Sequence, residues 1–142
     1  MVCGDDPGVQ AIVGLISRPV VRYGLGEDAQ VRAVDVQSLP GGRMRFPCRR
    51  RNGQSMPDLD ITLALAGVHN VRNALAAVAA AGAVGCSLEA AARALSGFRA
   101  VKGRMQRKRS AGGAMLIDDT YNANPESVHA AIDVLAACPA PR

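Results

Sequence analysis

The sequence is poor in aromatic residues: it has no tryptophan, and two tyrosines and two phenylalanines make up 3% of the chain. Proteins that hold single-stranded nucleic acid usually stack the bases on exposed aromatic rings. The formal charge of +5 is also modest, so it gives no strong electrostatic reason to bind nucleic acid. We therefore expect no nucleic-acid partner.

Metal-binding and membrane-spanning patterns are also missing. The four cysteines, Cys3, Cys48, Cys86 and Cys138, form no C-x-x-C pair and have no histidine at metal-ligand spacing, so we predict no zinc site and no redox dithiol. No apolar run approaches the roughly 20 residues of a membrane span, and no basic and apolar leader follows Met1. We expect a cytoplasmic protein with free thiols and no membrane span.

What the sequence does contain is enough apolar material to form a core. Its 142 residues are 49% apolar, so they can form one compact domain or parts of two. Basic residues fall into two clusters, at 43–51 and 102–109, each of which is either a phosphate-facing patch or a solvated surface. For the first cluster we favour a solvated surface.

The most informative stretch is Leu116 to Ser127, which predicts a buried strand, a polar loop and a helix in that order. Asn124 suits the N-cap and Pro125 the first helical turn. Four apolar residues then recur at the spacing of one helix face: Val128, Ala131, Ile132 and Leu135. Ligands of open α/β sheets bind beyond the carboxyl ends of strands, so this loop is a candidate site. The alternative is a solvated turn, but five side chains favour function: Asp118, Asp119, Tyr121, Asn122 and Asn124.

Upstream, the pattern predicts a helix, two strands and an antiparallel strand pair. The helix begins at Pro7 and ends before Arg18-Pro19, with one apolar stripe of Val9, Ile12, Val13 and Ile16. Strands are predicted at 20–23 and 31–36. Apolar and polar residues alternate over 43–49 and 59–65, which predicts two paired strands, and Pro47 places the first at a sheet edge.

Asn70 and Asn73 lie three residues apart at the start of an Ala-rich helix that runs to about Gly82. This spacing puts both amides on one face of the first turn, where they can recognise a planar heterocycle while the helix N-terminus favours an anion. Alternatively, one asparagine caps the helix and the other is incidental; spacing does not decide between these. We expect His69 to pack or hydrogen-bond rather than bind metal.

Ser87 is predicted to cap a second helix that ends at Gly97. The polar stretch 102–113 is the best candidate for a domain boundary. Within it, Gly103 followed by Arg104 can bring a guanidinium onto a phosphate, although a solvated arginine is the commoner outcome. A strand pair is predicted at 105–108 and 114–117.

Three motifs in this order resemble those of the Mur ligases of peptidoglycan synthesis. They are Gly67-x-His69-Asn70-x-x-Asn73-Ala74-Leu75-Ala76-Ala77, Gly103-Arg104, and Asp118-Asp119-x-Tyr121-Asn122-Ala123-Asn124-Pro125. The last is most similar to the members that join D-alanyl-D-alanine to UDP-N-acetylmuramoyl-tripeptide. The segment Gly4-Asp5-Asp6 is similar to their Asn-Ala-Asp-Asp, with Cys3-Gly4 departing from it.

The resemblance implies an α/β fold made of two parts. Residues 1–104 would be the C-terminal part of a P-loop-type central ATPase domain, and residues 105–142 the first ββα portion of a Rossmann-like C-terminal domain. Such a chain would be a fragment. It contains no phosphate loop, and the family's magnesium ligands would lie upstream, so we expect no metal ligand here and no activity from the isolated chain.

By the same resemblance, Asn70 and Asn73 would lie at the adenine of ATP. Arg104 and Asp119 would be the catalytic residues and would also contact the nucleotide, with Tyr121, Asn122 and Asn124 as weaker members of the site. The implied enzyme is an ATP- and Mg²⁺-dependent peptide ligase of cell wall synthesis, hence of cell shape and division. Its implied substrates are UDP-N-acetylmuramoyl-tripeptide, D-alanyl-D-alanine and ATP. The alternatives are another member of the Mur and folylpolyglutamate ligase superfamily, and a non-catalytic remnant or interaction module.

Overall fold

The computed structural model describes residues 1–51 and 58–138. The predicted loop between the paired strands therefore lies almost entirely outside the described residues. The helices are α1 (Pro7–Val13), α2 (Val68–Ala83), α3 (Leu88–Gly97) and α4 (Pro125–Ala136). The strands are β1 (Val2–Cys3), β2 (Arg22–Gly24), β3 (Val31–Ala33), β4 (Gln37–Leu39), β5 (Arg43–Arg50), β6 (Leu59–Leu63), β7 (Gln106–Arg109) and β8 (Met115–Asp118).

A mixed sheet is the base of the fold, and α2 and α3 pack against it. Strands β1, β2 and β3 are parallel neighbours, and β5 runs antiparallel to β3, β4 and β6. Strands β3 and β4 pair with different halves of β5 along the same edge, so together they act as one interrupted strand. The α/β prediction is confirmed for this part of the chain.

The alternation in β5 and β6 places their apolar side chains in the core. Met44, Phe46 and Cys48 are buried on β5, and Ile61 and Leu63 are buried on β6. The two strands pair antiparallel, with Phe46 opposite Ile61, as the sequence predicted. On the helices facing them, the buried residues recur at helical spacing: Val71, Ala74, Leu75, Val78 and Ala79 on α2, and Leu88, Ala91 and Ala92 on α3.

The prediction that Pro47 marks an edge strand is wrong, because β5 is paired on both sides. Pro47 lies opposite the interruption between β3 and β4, where its carbonyl accepts a hydrogen bond from Val34 N at 3.1 Å. Its missing N–H therefore costs little, since no regular ladder bond is formed there. Asp35, with φ of 47°, makes the interruption, so the single strand predicted over 31–36 is also wrong.

The first helix is shorter than predicted. Asp6 caps α1 by accepting a hydrogen bond from Val9 N at 3.0 Å, and the helix ends at Val13. Gly14 follows, and glycine is a poor helix former. The predicted four-residue stripe is wrong, because Ile16 lies beyond the end of the helix. No residue of α1 is buried, and Ile16 is exposed.

The last part of the chain forms a separate two-stranded sheet followed by a helix. Strands β7 and β8 pair antiparallel, and Asn124 caps α4 by accepting from Ser127 N at 2.8 Å, as predicted. The inward face of α4 is not the predicted one: Val134 is buried, whereas Val128, Ile132 and Leu135 are exposed. Strand β8 is not buried either, since Leu116 is 49% exposed. In the described chain this strand has a neighbour on one edge only.

Arg43, Arg45 and Arg49 lie on the solvent-facing side of β5, as predicted for the first cluster, whereas Arg50 reaches α2 and donates to Gly82 O at 3.3 Å. Arg49 forms an ion pair with Asp58 at 2.8 Å, and Arg45 pairs with Asp60. These ion pairs are partly exposed and lie on the surface of the sheet, so we interpret them as surface contacts and not as part of a binding site.

Candidate functional site

A cavity of about 690 Å³ lies between the first turn of α2, the connector that follows α3, and the start of α4. Five of the predicted site residues line it: Asn70, Asn73, Arg104, Asp119 and Asn124. They come from three separate segments, and tertiary folding brings them together. Leu63, Leu65, Ala74 and Phe98 give the same cavity an apolar wall.

The start of α2 explains how its two asparagines are used. Gly67 is the N-cap, and no side chain caps the helix, so the capping alternative for the asparagines is wrong. Asn70 Nδ2 instead donates to Ala66 O at 2.7 Å and lies 2.9 Å from His69 Nε2. Asn73 is exposed toward the cavity and makes no side-chain hydrogen bond to another described residue. It therefore remains available to a ligand.

His69 lies at the floor of this region, half-buried beside Asn70. Burial lowers the pKa of its imidazole, and Arg72 lowers it further, whereas the nearby Asp119 carboxylate raises it; the net shift is downward. The ring is therefore neutral near pH 7, and one of its nitrogens can accept a hydrogen bond.

Asp119 and the connector hold one another in place. Asp119 Oδ1 accepts from Met105 N at 3.0 Å, and Gly103 O accepts from Tyr121 N at 3.0 Å. The Arg104 guanidinium lies 3.8 Å from the centre of the Tyr121 ring, a cation–π contact. Asp119 thus orients the turn that carries Arg104, which places both charges at the cavity.

The backbone of this turn is unusual. Met105 has φ of 49° and Gly103 φ of 72°, so two residues of the connector adopt left-handed conformations. Such conformations are costly for a residue with a side chain unless surrounding contacts maintain them. The hydrogen bond from Met105 N to Asp119 is one contact that does so.

The neighbouring Asp118 has a different role. It pairs with Lys108 across the β7–β8 ladder and accepts from Thr120 Oγ1 at 2.8 Å. The hydrogen bonds from Lys108 and then from Thr120 lower the pKa of Asp118 to about 2. It does not line the cavity, so the two carboxylates of the motif serve separate functions.

Tyr121 and Asn122 lie outside the cavity lining. Tyr121 is 69% exposed and contributes through its contact with Arg104. The Asn122 side chain accepts from Ala123 N at 2.9 Å, which shapes the loop. Asn124 lines the cavity, but its side-chain oxygen is already bound as the α4 cap. Tyr121, Asn122 and Asn124 therefore orient Arg104, shape the loop or cap α4. The other four candidates line the cavity: Asn70, Asn73, Arg104 and Asp119.

Sequence reasoning missed one ion pair that supports the site. Asp5 accepts from Leu25 N at 2.9 Å and from Gly26 N at 3.2 Å, and Arg72 Nε donates to it at 2.8 Å. Burial raises the pKa of Asp5, but the Arg72 and backbone hydrogen bonds outweigh it and lower the pKa below its usual value. Arg72 lies between Asn70 and Asn73 on α2, so this pair ties the asparagine-bearing turn to the β1 edge of the sheet. Only the Gly4-Asp5-Asp6 likeness pointed to it.

Within residues 1–51 and 58–138, no three histidine, cysteine, aspartate or glutamate side chains converge to hold a metal ion. No helix in these ranges is long and apolar enough to cross a bilayer.

Comparison with known proteins gives no match to a family model, but it gives many individual relatives. The chain is 52% identical over 136 residues to the UDP-N-acetylmuramate--L-alanine ligase of Leptothrix cholodnii, covering 93% of this chain and 29% of that protein. The protein of the same name from Methylibium petroleiphilum gives the same identity and coverage. A crystal structure of MurF from Acinetobacter baumannii matches with a TM-score of 0.83 and 33% identity, over 96% of this chain and 29% of that one.

The chain is related to the Mur ligases in sequence and in fold. The predicted Mur ligase α/β fold is confirmed, and MurC from Thermotoga maritima shares it with a TM-score of 0.65 at 24% identity. The chain spans about 29% of the length of these two curated relatives. The division at residue 104 stays a prediction.

Proposed function

We propose that this chain forms the part of a Mur ligase that holds the base and the phosphates of ATP. The observation that supports this most directly is the cavity itself. It combines two amides from one turn of α2 with a guanidinium and a carboxylate from the connector and the end of β8.

The cavity has the properties that a nucleotide needs. Its apolar wall suits the faces of a planar base, and Asn73 offers both a donor and an acceptor at the rim. Arg104 offers a guanidinium that matches phosphate geometry and is oriented by stacking on Tyr121. Its volume of about 690 Å³ is within the range of ligand pockets.

In the complete ligase, ATP would phosphorylate the terminal carboxylate of UDP-N-acetylmuramoyl-tripeptide. The amine of D-alanyl-D-alanine would then displace phosphate and form the peptide bond. Arg104 would neutralise phosphate charge, and Asp119 would hold the connector so that Arg104 stays in place. Since the described residues gather no metal-binding cluster, we assign no step of this reaction to Mg²⁺ through them.

D-Alanyl-D-alanine as the amine is supported by the Asp-Asp-x-Tyr-Asn-Ala-Asn-Pro motif and by the likeness to the MurF structures. A relative of 32% identity is named as a D-alanyl-D-alanyl ligase. A second candidate is the addition of L-alanine to UDP-N-acetylmuramate, which the names of the 52%-identical relatives favour.

A nucleotide titration tests the site on the chain itself. ATP is added to the ¹⁵N-labelled protein while the backbone and side-chain amide resonances are followed. We expect the resonances of Asn70, Asn73 and Arg104 to shift together. Asn73→Ala should weaken binding about five- to tenfold, because a base amide contact is lost.

Asn122→Ala is the matched control, since it removes the same side chain from a position outside the cavity. It should leave ATP affinity within about twofold of the original. Equal losses in the two variants, or shifts confined to other parts of the chain, would contradict the proposed site.

The acceptor is tested in a full-length ligase in which this chain replaces the corresponding segment. Product formation is compared for the two substrate pairs, tripeptide with D-alanyl-D-alanine and UDP-N-acetylmuramate with L-alanine. Product from the second pair alone would select the second candidate. Product from neither pair, in a chimera that still binds ATP, would favour the non-catalytic alternative.

A further inference from the structure

The amide of Asn70 is fixed in one orientation by two contacts. Its nitrogen lies 2.7 Å from Ala66 O, and a carbonyl oxygen can only accept, so the nitrogen rather than the oxygen must face it. The same nitrogen lies 2.9 Å from His69 Nε2. Because an amide nitrogen only donates, Nε2 carries no proton and accepts the second amide hydrogen.

Both hydrogens of the Asn70 amide are therefore used inside the protein. Its carbonyl oxygen has no hydrogen-bond partner among the described residues, and it is not among the buried, unsatisfied polar atoms. Rotating the amide by half a turn would set its oxygen against Ala66 O and the lone pair of His69 Nε2. That orientation is excluded by repulsion between acceptors.

The imidazole ring of His69 packs directly against Gly67. A Cβ atom on Gly67 would lie 2.5 Å from His69 Cε1 and 2.7 Å from Nδ1, so the ring occupies the space that a side chain there would fill. Gly67 also has φ of 93°, a conformation that favours glycine. Burial keeps the ring neutral, with Asp119 and Arg72 acting in opposite directions on it. Asp133 and Arg107 line a second cavity on which His69 also borders.

We propose that His69 is a positioning residue that takes the second hydrogen of the Asn70 amide, so that Asn70 meets a ligand in the cavity only as a hydrogen-bond acceptor. The proposal rests on the proposed nucleotide site. It adds a rule of specificity: a base with an exocyclic amino group is accepted, and one with a carbonyl group at that position is disfavoured.

The first test needs no ligand. In the unmodified protein near pH 7, long-range ¹H–¹⁵N correlation spectra of the imidazoles report which ring nitrogen carries the proton. We expect His69 to be protonated at Nδ1, and we expect both Asn70 amide protons to exchange slowly with water. A proton on Nε2 would overturn the proposal. His129, which is exposed on α4, is the internal reference in the same spectrum.

The second test compares ATP with ITP, which differ in having an amino or a carbonyl group at the same ring position. The protein should bind ATP about five- to tenfold more tightly than ITP. His69→Phe keeps a ring of similar size over Gly67 but removes the acceptor, so the second hydrogen of the Asn70 amide becomes free to donate to a carbonyl group of the ligand. Its ATP preference should fall to within about twofold.

His69→Gln restores an acceptor oxygen at similar reach and should recover most of the preference. An unchanged ATP-to-ITP ratio in His69→Phe, or equal ratios in the Phe and Gln variants, would overturn the positioning role, as would an original protein that binds both nucleotides equally. If the original protein bound neither nucleotide, the proposed nucleotide site would fail. The protonation state of His69 would then still decide the positioning role by itself.

Discussion

The two sides of the cavity are built very differently. On one side, the mixed sheet with α2 and α3 has a continuous core in which Phe46, Ile61 and Leu75 are fully buried. On the other side, Val134 and Cys138 are the only buried hydrophobic residues in the described segment 105–138, which contains β7, β8 and α4. The first side is therefore a densely packed base that carries the two asparagines, whereas the second side presents Asp119 from a lightly packed segment.

The lightly packed side depends on a few contacts with the base. Val134 approaches Gly67, the Arg107 guanidinium lies directly over Gly42, and the connector is bound through Gly103 and Met105. With so little buried area, its position should change more easily than that of the base. A site divided in this way can bind the nucleobase of a ligand on its densely packed side while its lightly packed side moves.

The largest expected effect comes from the core of the base. Phe46→Ala should lower the free energy of unfolding by about 3 to 5 kcal/mol, because it leaves a cavity beneath the helices. Ile132→Ala, on the exposed face of α4, is the matched change on the other side and should cost no more than about 0.5 kcal/mol. Urea denaturation followed by circular dichroism measures both. Similar losses of unfolding free energy in the two variants would contradict the view that the first side is packed more tightly than the second.

A smaller effect is expected where the two sides touch. Gly67→Ala should cost about 1 to 3 kcal/mol, since the new Cβ would meet His69 and lie 3.0 Å from Val134 in a backbone conformation that disfavours alanine. Gly85→Ala is the control, because φ there is 85° but no atom lies within 4 Å of the added Cβ. Hydrogen exchange should show faster opening of α4 in Gly67→Ala only. Faster opening of α4 in both variants would mean that strain, not the contact, is responsible.

The smallest expected effect is a loss of stability of the β7–β8 pair at low pH. The pKa of Asp118 is about 2 in the fold against an ordinary 3.8, so its ionised form is favoured by folding. Its contribution is complete above about pH 3.8 and is lost as the pH falls toward 2. The β7–β8 pair should therefore loosen over this interval, as measured by NMR titration of the Asp118 carboxyl carbon and the β7 amides. Lys108→Met should raise the Asp118 pKa toward its ordinary value, and Lys102→Met should not.

Local pattern was sufficient where neighbouring residues decide the outcome. The caps at Ser87 and Asn124, the pairing of β5 with β6 and the extent of α2 all followed from residue type and spacing. The errors arose where burial depends on distant segments. The face of α4 was misread because Val134 packs near Gly67, and Pro47 was misread because β3 and β4 leave a gap opposite it.

The sequence by itself determined most of the elements, because caps and alternation are local properties. Its resemblance to the Mur ligases singled out five polar residues that line the cavity. The tertiary structure decided which of those side chains are bound within the protein and which line the cavity. Asn70 and His69 are adjacent in sequence, yet only the fold shows that the Asn70 amide nitrogen lies against both Ala66 O and His69 Nε2. Likewise, only the fold shows that Asp118 is bound to Lys108 while Asp119 reaches the cavity, because hydrogen-bond partners are set by distances between segments far apart in the chain.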